Sequence, residues 1–305
     1  MTKKPKGHDV GPWAKEKLEA LRQYLEFYTR VLKYQRSWLR GTIFVDAFAG
    51  SGLSRVRRKV EQSPHPGLFP AGPEPDEEEI EYLKGSPRQA LEIANPFDSY
   101  IFIDRNPNNA AELRTLAKAY AGQRAIEVKE QDANTALRNI LARNIDWKHH
   151  RAVVFLDPFG MQVPWATIEA LARTKAIEVM INFPLGMAIQ RLLTKSGEIP
   201  GEWQMSLDTF FGAAEWRQLV YEERRDLFGP RRSKISDSGV RLLDWYRGSL
   251  QSVFGHVSTA RLVKNTRGNP LYYLIWAGPH KKGLDGANYI LSKGERVGSR
   301  VRRRS

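Results

Sequence analysis

The sequence contains no cysteine, so disulfide bonds, thiolate metal ligands and thiolate nucleophiles are all excluded. Its histidines stand at positions 8, 65, 149, 150, 256 and 280, without the spacing of a metal site, and no metal is expected. No apolar run reaches the roughly 18 residues that a membrane-spanning helix needs. The opening stretch, MTKKPKGHDVGPW, lacks the apolar middle of a signal peptide, so we expect a cytoplasmic protein with no membrane partner.

Positive charge dominates the composition. The chain has 48 Lys and Arg residues against 34 Asp and Glu, a net charge of +14. Such a surplus suggests a polyanionic partner such as RNA or DNA, although a solvated basic surface explains it as well. With 305 residues, 41% of them hydrophobic, the chain is long enough for one elaborated α/β domain or a core with one insertion.

The most informative stretch is TIFVDAFAGSG at residues 42–52. Residues 43–45 are an apolar run typical of a buried strand, which ends at Asp46 before a loop containing Gly50 and Gly52. A dinucleotide fingerprint needs a third glycine at GxGxxG spacing, and a P-loop needs Gly-Lys-Ser/Thr; both are absent. An acid and a small-residue loop instead fit S-adenosylmethionine (SAM), which needs close backbone approach and a carboxylate for its ammonium. A tight turn in any α/β protein would look the same if this stretch stood alone.

Acidic residues follow the next apolar runs in the same way. Asp104 follows a strand at 100–103, where an acid can accept the ribose hydroxyls of a nucleoside or help Asn106 to cap a helix. Asp132 follows a strand at 125–129 and can accept the adenine amino group or only cap a helix. The predicted cofactor-binding residues are Asp46, Phe48, Ala49, Gly50, Gly52, Asp104, Arg105, Asp132 and Ala133.

A fourth apolar run, residues 153–156, leads into Asp157, Pro158, Phe159 and Gly160. The acid offers an acceptor for an exocyclic amine, the prolyl turn aims backbone carbonyls at that amine, and the ring can stack on a flat base. Positioning matters because the lone pair of an aromatic amine is delocalised, whereas no strong base is required. Asp157, Pro158 and Phe159 are therefore the predicted catalytic residues. The alternative is an Asp-Pro turn that ends a strand, with its aromatic ring in the core.

Two further segments frame this core. A helix is predicted at about residues 13–36, with its lysines and arginines, Lys17 among them, on a solvated outer face. Residues 53–84 combine basic, Pro/Gly-rich and acidic stretches and are expected to form a mobile insertion, either a lid or a loop without a role.

The second half of the chain is predicted to add a helical insertion and to close the sheet. A fifth strand at 177–183 precedes the insertion, which covers residues 184–255 and carries Arg231, Arg232 and Lys234 in a loop. Strands at 256–263 and 271–277 are predicted to form an antiparallel pair. The basic tail from Lys293 is expected to be a nucleic-acid arm, the alternative being that it only aids solubility.

Several motifs together resemble the three-Cys-motif partner (TcmP) family, in pieces over about residues 40–290. They are VDAFAGSG at 45–52, GSPRQAL at 85–91, FIDRN at 102–106, FLDPFG at 155–160, LDTFFG at 207–212 and YYLIWAGPHKKG at 272–283. The resemblance implies a class I SAM-dependent methyltransferase-like domain and a partner protein that carries the three cysteines. The DPFG tetrad is also similar to that of tRNA guanine-N2 dimethyltransferases, but departs from the amino-methyltransferase pattern Asp/Asn-Pro-Pro-Tyr/Phe.

These observations predict an α/β, Rossmann-like class I methyltransferase fold, a mostly parallel sheet closed by an antiparallel strand pair. The core is assigned to residues 1–183 and 256–305. The predicted function is SAM-dependent N-methylation of an exocyclic base amine of nucleic acid, RNA rather than DNA. The alternative is a SAM-binding partner of a three-Cys-motif protein that transfers nothing.

Overall fold

The structure, a computed structural model, describes residues 8–9, 13–59, 78–226, 229–265 and 268–293. The strands are β1 His8–Asp9, β2 Gly41–Asp46, β3 Leu53–Lys59, β4 Glu78–Lys84, β5 Ser99–Ile103, β6 Ala125–Lys129, β7 His150–Leu156, β8 Ile177–Phe183, β9 Tyr221–Asp226, β10 Gly229–Lys234, β11 His256–Val257, β12 Arg261–Lys264 and β13 Pro270–Gly278. The helices are α1 Trp13–Leu32, α2 Ser86–Leu91, α3 Pro107–Ala119, α4 Ala133–Leu141, α5 Trp165–Arg173, α6 Gln190–Leu192, α7 Gly201–Phe211, α8 Trp216–Val220, α9 Ser238–Phe254 and α10 Lys281–Leu291, with a π-helical turn at Leu185–Ile189.

The central sheet contains eight strands in the order β11-β13-β8-β7-β2-β5-β6, with β12 also paired to β13. Strands β6, β5, β2, β7 and β8 are parallel, and β13 runs antiparallel to β8. From β2 the chain steps outward through β5 to β6 and then returns to β7 on the other side of β2. The predicted Rossmann-like class I methyltransferase fold is confirmed. Its topological switch point, where such folds bind ligands, lies between β2 and β7.

Both faces of the sheet are buried at its centre, which explains why strands β2, β5 and β7 consist mainly of apolar residues. Phe44, Phe155 and Trp276 lie on one face and pack against residues of α1, α3 and α10. Val45 and Phe183 lie on the other face and pack against residues of α4, α5, α7 and α9. Since successive side chains of a strand alternate between faces, Phe44 and Val45 are both buried although they are neighbours.

Helix α1 ends at Leu32, earlier than the predicted end near residue 36. The N–H of Gln35 donates to the carbonyl of Leu32 at 3.0 Å, a contact three residues apart that tightens the chain into turns after the helix. Among the helices of the described ranges, none is both long and apolar enough to cross a bilayer.

The segment 53–84, predicted as an irregular insertion, contains paired strands at both ends. Strand β3 pairs antiparallel with β4, and β1 adds in parallel to β3. The backbone register places Leu53 across from Lys84 and Lys59 across from Glu78. Residues 60–77 lie outside the described residues, so the lid stays a prediction.

The segment 184–255 is not helical throughout. Strands β9 and β10 pair as an antiparallel hairpin, so the basic run 231–234 lies in a strand and not in the predicted loop. Arg232 stands across from Glu223 in this register, and Lys234 Nζ donates to the carbonyl of Leu193 at 3.0 Å. The helices of the segment share a core with the sheet, since the rings of Phe183 and Tyr246 lie 4.8 Å apart.

The predicted strand at 256–263 is interrupted. Both parts, β11 and β12, pair with β13, and the fully buried Ser258 lies between them. The Ser258 hydroxyl accepts the N–H of Trp276 at 2.9 Å, and the Ser258 N–H donates to the Trp276 carbonyl at 2.9 Å. A side-chain oxygen thus takes the place of one backbone acceptor and breaks the ladder. The basic tail from residue 294 onward lies outside the described residues.

Candidate functional site

A cavity of about 530 Å³ opens at the carboxyl ends of β2, β5, β6, β7 and β8. Its walls bring together residues that are far apart in the sequence, because parallel strands end at the same edge of the sheet. The predicted site residues in its walls are Phe48, Ala49, Gly50, Gly52, Asp104, Arg105, Asp132, Ala133, Asp157, Pro158 and Phe159. Asp46 is the predicted site residue that does not line it.

The glycine loop between β2 and β3 forms one wall. Gly50 and Gly52 have φ angles of +60° and +74°, the left-handed region that favours glycine. A Cβ atom added at Gly50 would meet no heavy atom within 4 Å, so the space beside this backbone is open. The loop is held in place by hydrogen bonds from the Ala49 N–H to the Ile103 carbonyl and from the Gly85 N–H to the Gly52 carbonyl.

Asp104, at the end of β5, connects this loop to helix α3. Its Oδ2 accepts the Gly50 N–H at 2.9 Å and the Asn109 side-chain amide at 3.2 Å, and its Oδ1 accepts the Asn106 N–H at 2.8 Å. Asn106 itself caps α3 by accepting the Asn108 N–H. A carboxylate has about four acceptor positions, so Asp104 retains capacity for a ligand hydroxyl on the cavity side.

Asp132 and Arg105 also line the cavity. The Asp132 carboxylate caps α4 by accepting the Thr135 N–H at 3.0 Å. The helix-capping alternative is therefore realised, while the exposed carboxylate still borders the cavity. Arg105 is exposed at the rim and supplies positive charge there.

Asp46 is placed differently from the prediction. Its side chain is fully buried behind the cavity wall, where Oδ1 accepts the Phe48 N–H at 3.2 Å and Oδ2 has no partner among the described residues. Burial raises the pKa of Asp46 to about 7, against the opposing effects of the Ser86 hydroxyl and the Phe48 N–H. Asp46 thus supports the backbone at Phe48, and a direct contact with a ligand ammonium does not follow from this position.

Asp157, after β7, is held by two donors. Asn182 Nδ2 donates to its Oδ1 at 2.7 Å, and Lys17 Nζ donates to its Oδ2. The carboxylate is 21% exposed and the lysine side chain 13%, so the ion pair is largely removed from solvent. These two partners belong to different elements and together fix the orientation of the Asp157 carboxylate. A residue that positions a substrate needs a fixed orientation of this kind.

Phe159 lies at the mouth of the same cavity and is 77% exposed. The alternative in which this ring fills the core is therefore wrong. An exposed aromatic face next to Asp157 is available to a flat partner.

Several residues of this site were missed by sequence reasoning, three of which bear on its chemistry. Lys17, Asn182 and Tyr272 line the cavity. Lys17 was assigned to a solvated face. It lies four residues before the buried Leu21, however, and residues at this spacing share one face of a helix, so the sequence did indicate that Lys17 faces inward. Asn182 was one of two polar residues, with Glu178, within an otherwise apolar strand, and nothing in the local sequence distinguished Tyr272.

Helix α1 is anchored where Lys17 reaches the site. Arg261 Nε of β12 donates to Glu16 Oε1 at 2.8 Å, and Lys17 Nζ lies 5.4 Å from the centroid of the Tyr272 ring. Desolvation raises the pKa of Tyr272, with the negative charges of Asp157 and Glu16 adding to the effect, so this hydroxyl stays protonated.

No protein-family model matches the chain, and no curated protein matches it. Among solved structures, a Legionella pneumophila protein of the family-model DUF519 is similar, with 12% identity, 91% of this chain and 94% of that chain covered, and a TM-score of 0.43. A S-adenosylmethionine-dependent methyltransferase from Clostridium acetobutylicum is similar with 8% identity, 85% and 92% coverage and a TM-score of 0.32. At such low scores the fold assignment rests on the strand order and not on these similarities.

Proposed function

We propose that this chain is a SAM-dependent N-methyltransferase that acts on an exocyclic base amine of nucleic acid, RNA rather than DNA. The observation that carries the proposal is one cavity that joins the glycine loop to Asp157 and the exposed ring of Phe159. Methyl transfer requires the cofactor and the acceptor base to be held next to each other. A cofactor-binding wall and an aromatic surface of the size of a base, in one cavity, meet this requirement.

The residues of the cavity fit SAM. Its volume of about 530 Å³ lies within the roughly 300–1,000 Å³ usual for ligand pockets. The open space at Gly50 admits close backbone approach, Asp104 would hold the ribose, and Asp132 would face the adenine amino group. When bound, SAM supplies an electrophilic methyl group on a sulfonium.

The chain's own residues position the acceptor. Each oxygen of Asp157 accepts one protein donor in the structure and keeps a lone pair for a substrate N–H. Phe159 would stack on the base, and Arg105 at the rim would face its phosphate. The net charge of +14 supports a polyanionic substrate. Membership of the TcmP family remains part of this proposal, and would add a three-cysteine partner protein.

One observation favours a second function, a SAM-binding partner that transfers nothing. Lys17 already occupies Asp157 Oδ2, and a target amine has to share or displace that contact. If Lys17 stayed bound to Asp157 permanently, the protein could bind SAM but would have no site for the amine that receives the methyl group.

Labelled methyl transfer from SAM into total cellular RNA, DNA and protein tests the proposal. The expected result is incorporation into RNA above that obtained with heat-denatured protein. Incorporation into protein alone would reject a nucleic-acid substrate. No incorporation into any pool, together with calorimetric binding of SAM, would favour the second function.

Asp104→Ala is expected to weaken SAM binding by about 1.5–3 kcal/mol, the scale for hydrogen bonds to a charged group. The substitution removes the predicted ribose acceptor and also the acceptor of the Gly50 N–H. Calorimetric titration with SAM and with S-adenosylhomocysteine measures the effect. Asp285→Asn, an exposed change on α10, is the control. Equal affinities for the Asp104 variant and the wild type would remove Asp104 from the cofactor site.

A further inference from the structure

The end of β8 presents a buried amide oxygen without a partner in the described part of the chain. Asn182 is 4% exposed and lines the cavity. Its Nδ2 donates to Asp157, but its Oδ1 accepts no hydrogen bond and is shielded from solvent. A buried acceptor that is left unpaired is costly, so this atom is better explained by a ligand donor than by the apo protein.

The orientation of this amide is set by its neighbour. Turning the group over would place two oxygens, Asn182 Oδ1 and Asp157 Oδ1, at the 2.7 Å now occupied by a hydrogen bond. The free oxygen of Asn182 is therefore separated from the Asp157 carboxylate by the width of the amide group and one hydrogen bond. Asp157 and Asn182 together offer two adjacent acceptors in the cavity wall, at the ends of the neighbouring strands β7 and β8.

Two adjacent acceptors match a primary amine, which has two N–H groups in the plane of its base. We propose that Asn182 is a specificity-determining residue that accepts the second N–H of the target amine and so limits the reaction to one methyl group. The inference rests on the proposed function and deepens it. With both N–H groups held in plane, the nitrogen lone pair is left facing the methyl group.

The first transfer leaves an amine that the site no longer fits. The nitrogen lone pair forms the new C–N bond, the C–S bond breaks with its electron pair going to sulfur, and one N–H proton leaves to solvent. The product has a single N–H, so a second round would leave either Asp157 or Asn182 unpaired and would press a methyl group against a polar oxygen. Sites built to hydrogen-bond a group discriminate strongly against analogues that lack it.

The product ratio tests this inference. Total RNA and DNA, treated with excess protein and SAM over a long incubation, are digested to nucleosides, and dimethylated and monomethylated amines are quantified by mass spectrometry. Wild type is expected to yield the monomethyl product, and Asn182→Ala to raise the dimethyl share at least tenfold. Asp285→Asn, the exposed change on α10, is the control and should leave the ratio unchanged.

A binding measurement separates this inference from the proposed function. Equilibrium dialysis compares adenosine, cytidine and guanosine with their N-methylated forms on protein loaded with S-adenosylhomocysteine. Wild type should prefer one unmethylated nucleoside by about ten- to a hundredfold over its methylated form, and Asn182→Ala should lose that preference. Absence of methyl transfer by wild type would reject the proposed function, whereas the dialysis still decides the role of Asn182.

Two results would overturn the inference. One is a dimethyl share for Asn182→Ala equal to that of wild type, with both proteins shown to be folded by their thermal unfolding. The other is equal binding, or no binding, of all methylated and unmethylated nucleosides. A general loss of activity without a change in product ratio would indicate that Asn182 only supports Asp157.

Discussion

Asp157→Asn is expected to lower methyl transfer by about two to three orders of magnitude, the scale for losing one well-placed polar group at a reacting centre. Both protein partners of Asp157 are donors, Lys17 and Asn182. An asparagine offers one oxygen and one NH₂ group, so in either orientation its NH₂ faces a donor and one contact is lost. The target amine then meets a weaker acceptor and a competing donor.

Cofactor affinity separates this effect from a general disruption of the cavity. SAM binding by Asp157→Asn should remain close to wild type in calorimetric titration, because the glycine loop and Asp104 are unchanged. Single-turnover methyl transfer into total RNA measures the rate, and Asp285→Asn serves as the surface control. An undiminished rate for Asp157→Asn would remove Asp157 from the catalytic site.

The free energy of unfolding is expected to fall as the pH rises from about 5 to 8, because two buried acids, Glu178 and Asp46, have raised pKa values. Glu178 is 4% exposed in β8, where Tyr24 and Trp276 donate to its carboxyl group. Burial raises the pKa of Glu178 from 4.5 to about 7, against the opposing effects of Tyr24, Trp276 and Arg151. The folded protein therefore binds more protons than the unfolded chain between these values, and stability is lost as the pH increases through this window.

At 1.36 kcal/mol per pKa unit, the contribution of Glu178 is on the order of 3 kcal/mol. Glu178→Gln keeps an acceptor for Tyr24 and Trp276 but has no charge to bury, so its stability should change less between pH 5 and 8. Urea unfolding at pH 5, 6, 7 and 8 measures the difference between the two proteins. Burial also raises the pKa of Asp46 to about 7, and this adds the same pH dependence of stability to the wild type and to Glu178→Gln.

Glu127→Gln is the matched control for this prediction. Hydrogen bonding to Arg143 lowers the pKa of Glu127 to about 2, so this acid titrates below the window in both folded and unfolded states. The control should follow the wild-type slope from pH 5 to 8. Parallel stability curves for the wild type and Glu178→Gln would show that Glu178 is not neutralised in the fold.

Much of the fold was predictable because its signals are local. The strands at 125–129 and 177–183 were predicted with the bounds that the structure shows, since each is a short segment with β-branched residues next to a turn, Gly122 before the first and Pro184 after the second. The hairpin of β9 and β10 was not, because neither strand has an apolar pattern and their pairing depends on the partner strand. Ser258 broke a predicted strand for a similar reason, by a hydrogen bond to Trp276 across the sheet.

The sequence by itself determined the fold class and the acids and glycines of the cavity wall that directly follow a strand, because these residues need only their own strand to be placed. Only the tertiary structure decided what those residues contact. Lys17 and Asp157 are 140 positions apart, and their ion pair depends on how α1 packs across the sheet. The pairing of Asn182 with Asp157 likewise depends on β7 and β8 being neighbours, and the burial of Asp46 depends on the wall formed over it. Such contacts follow from the packing of distant elements, which no local pattern encodes.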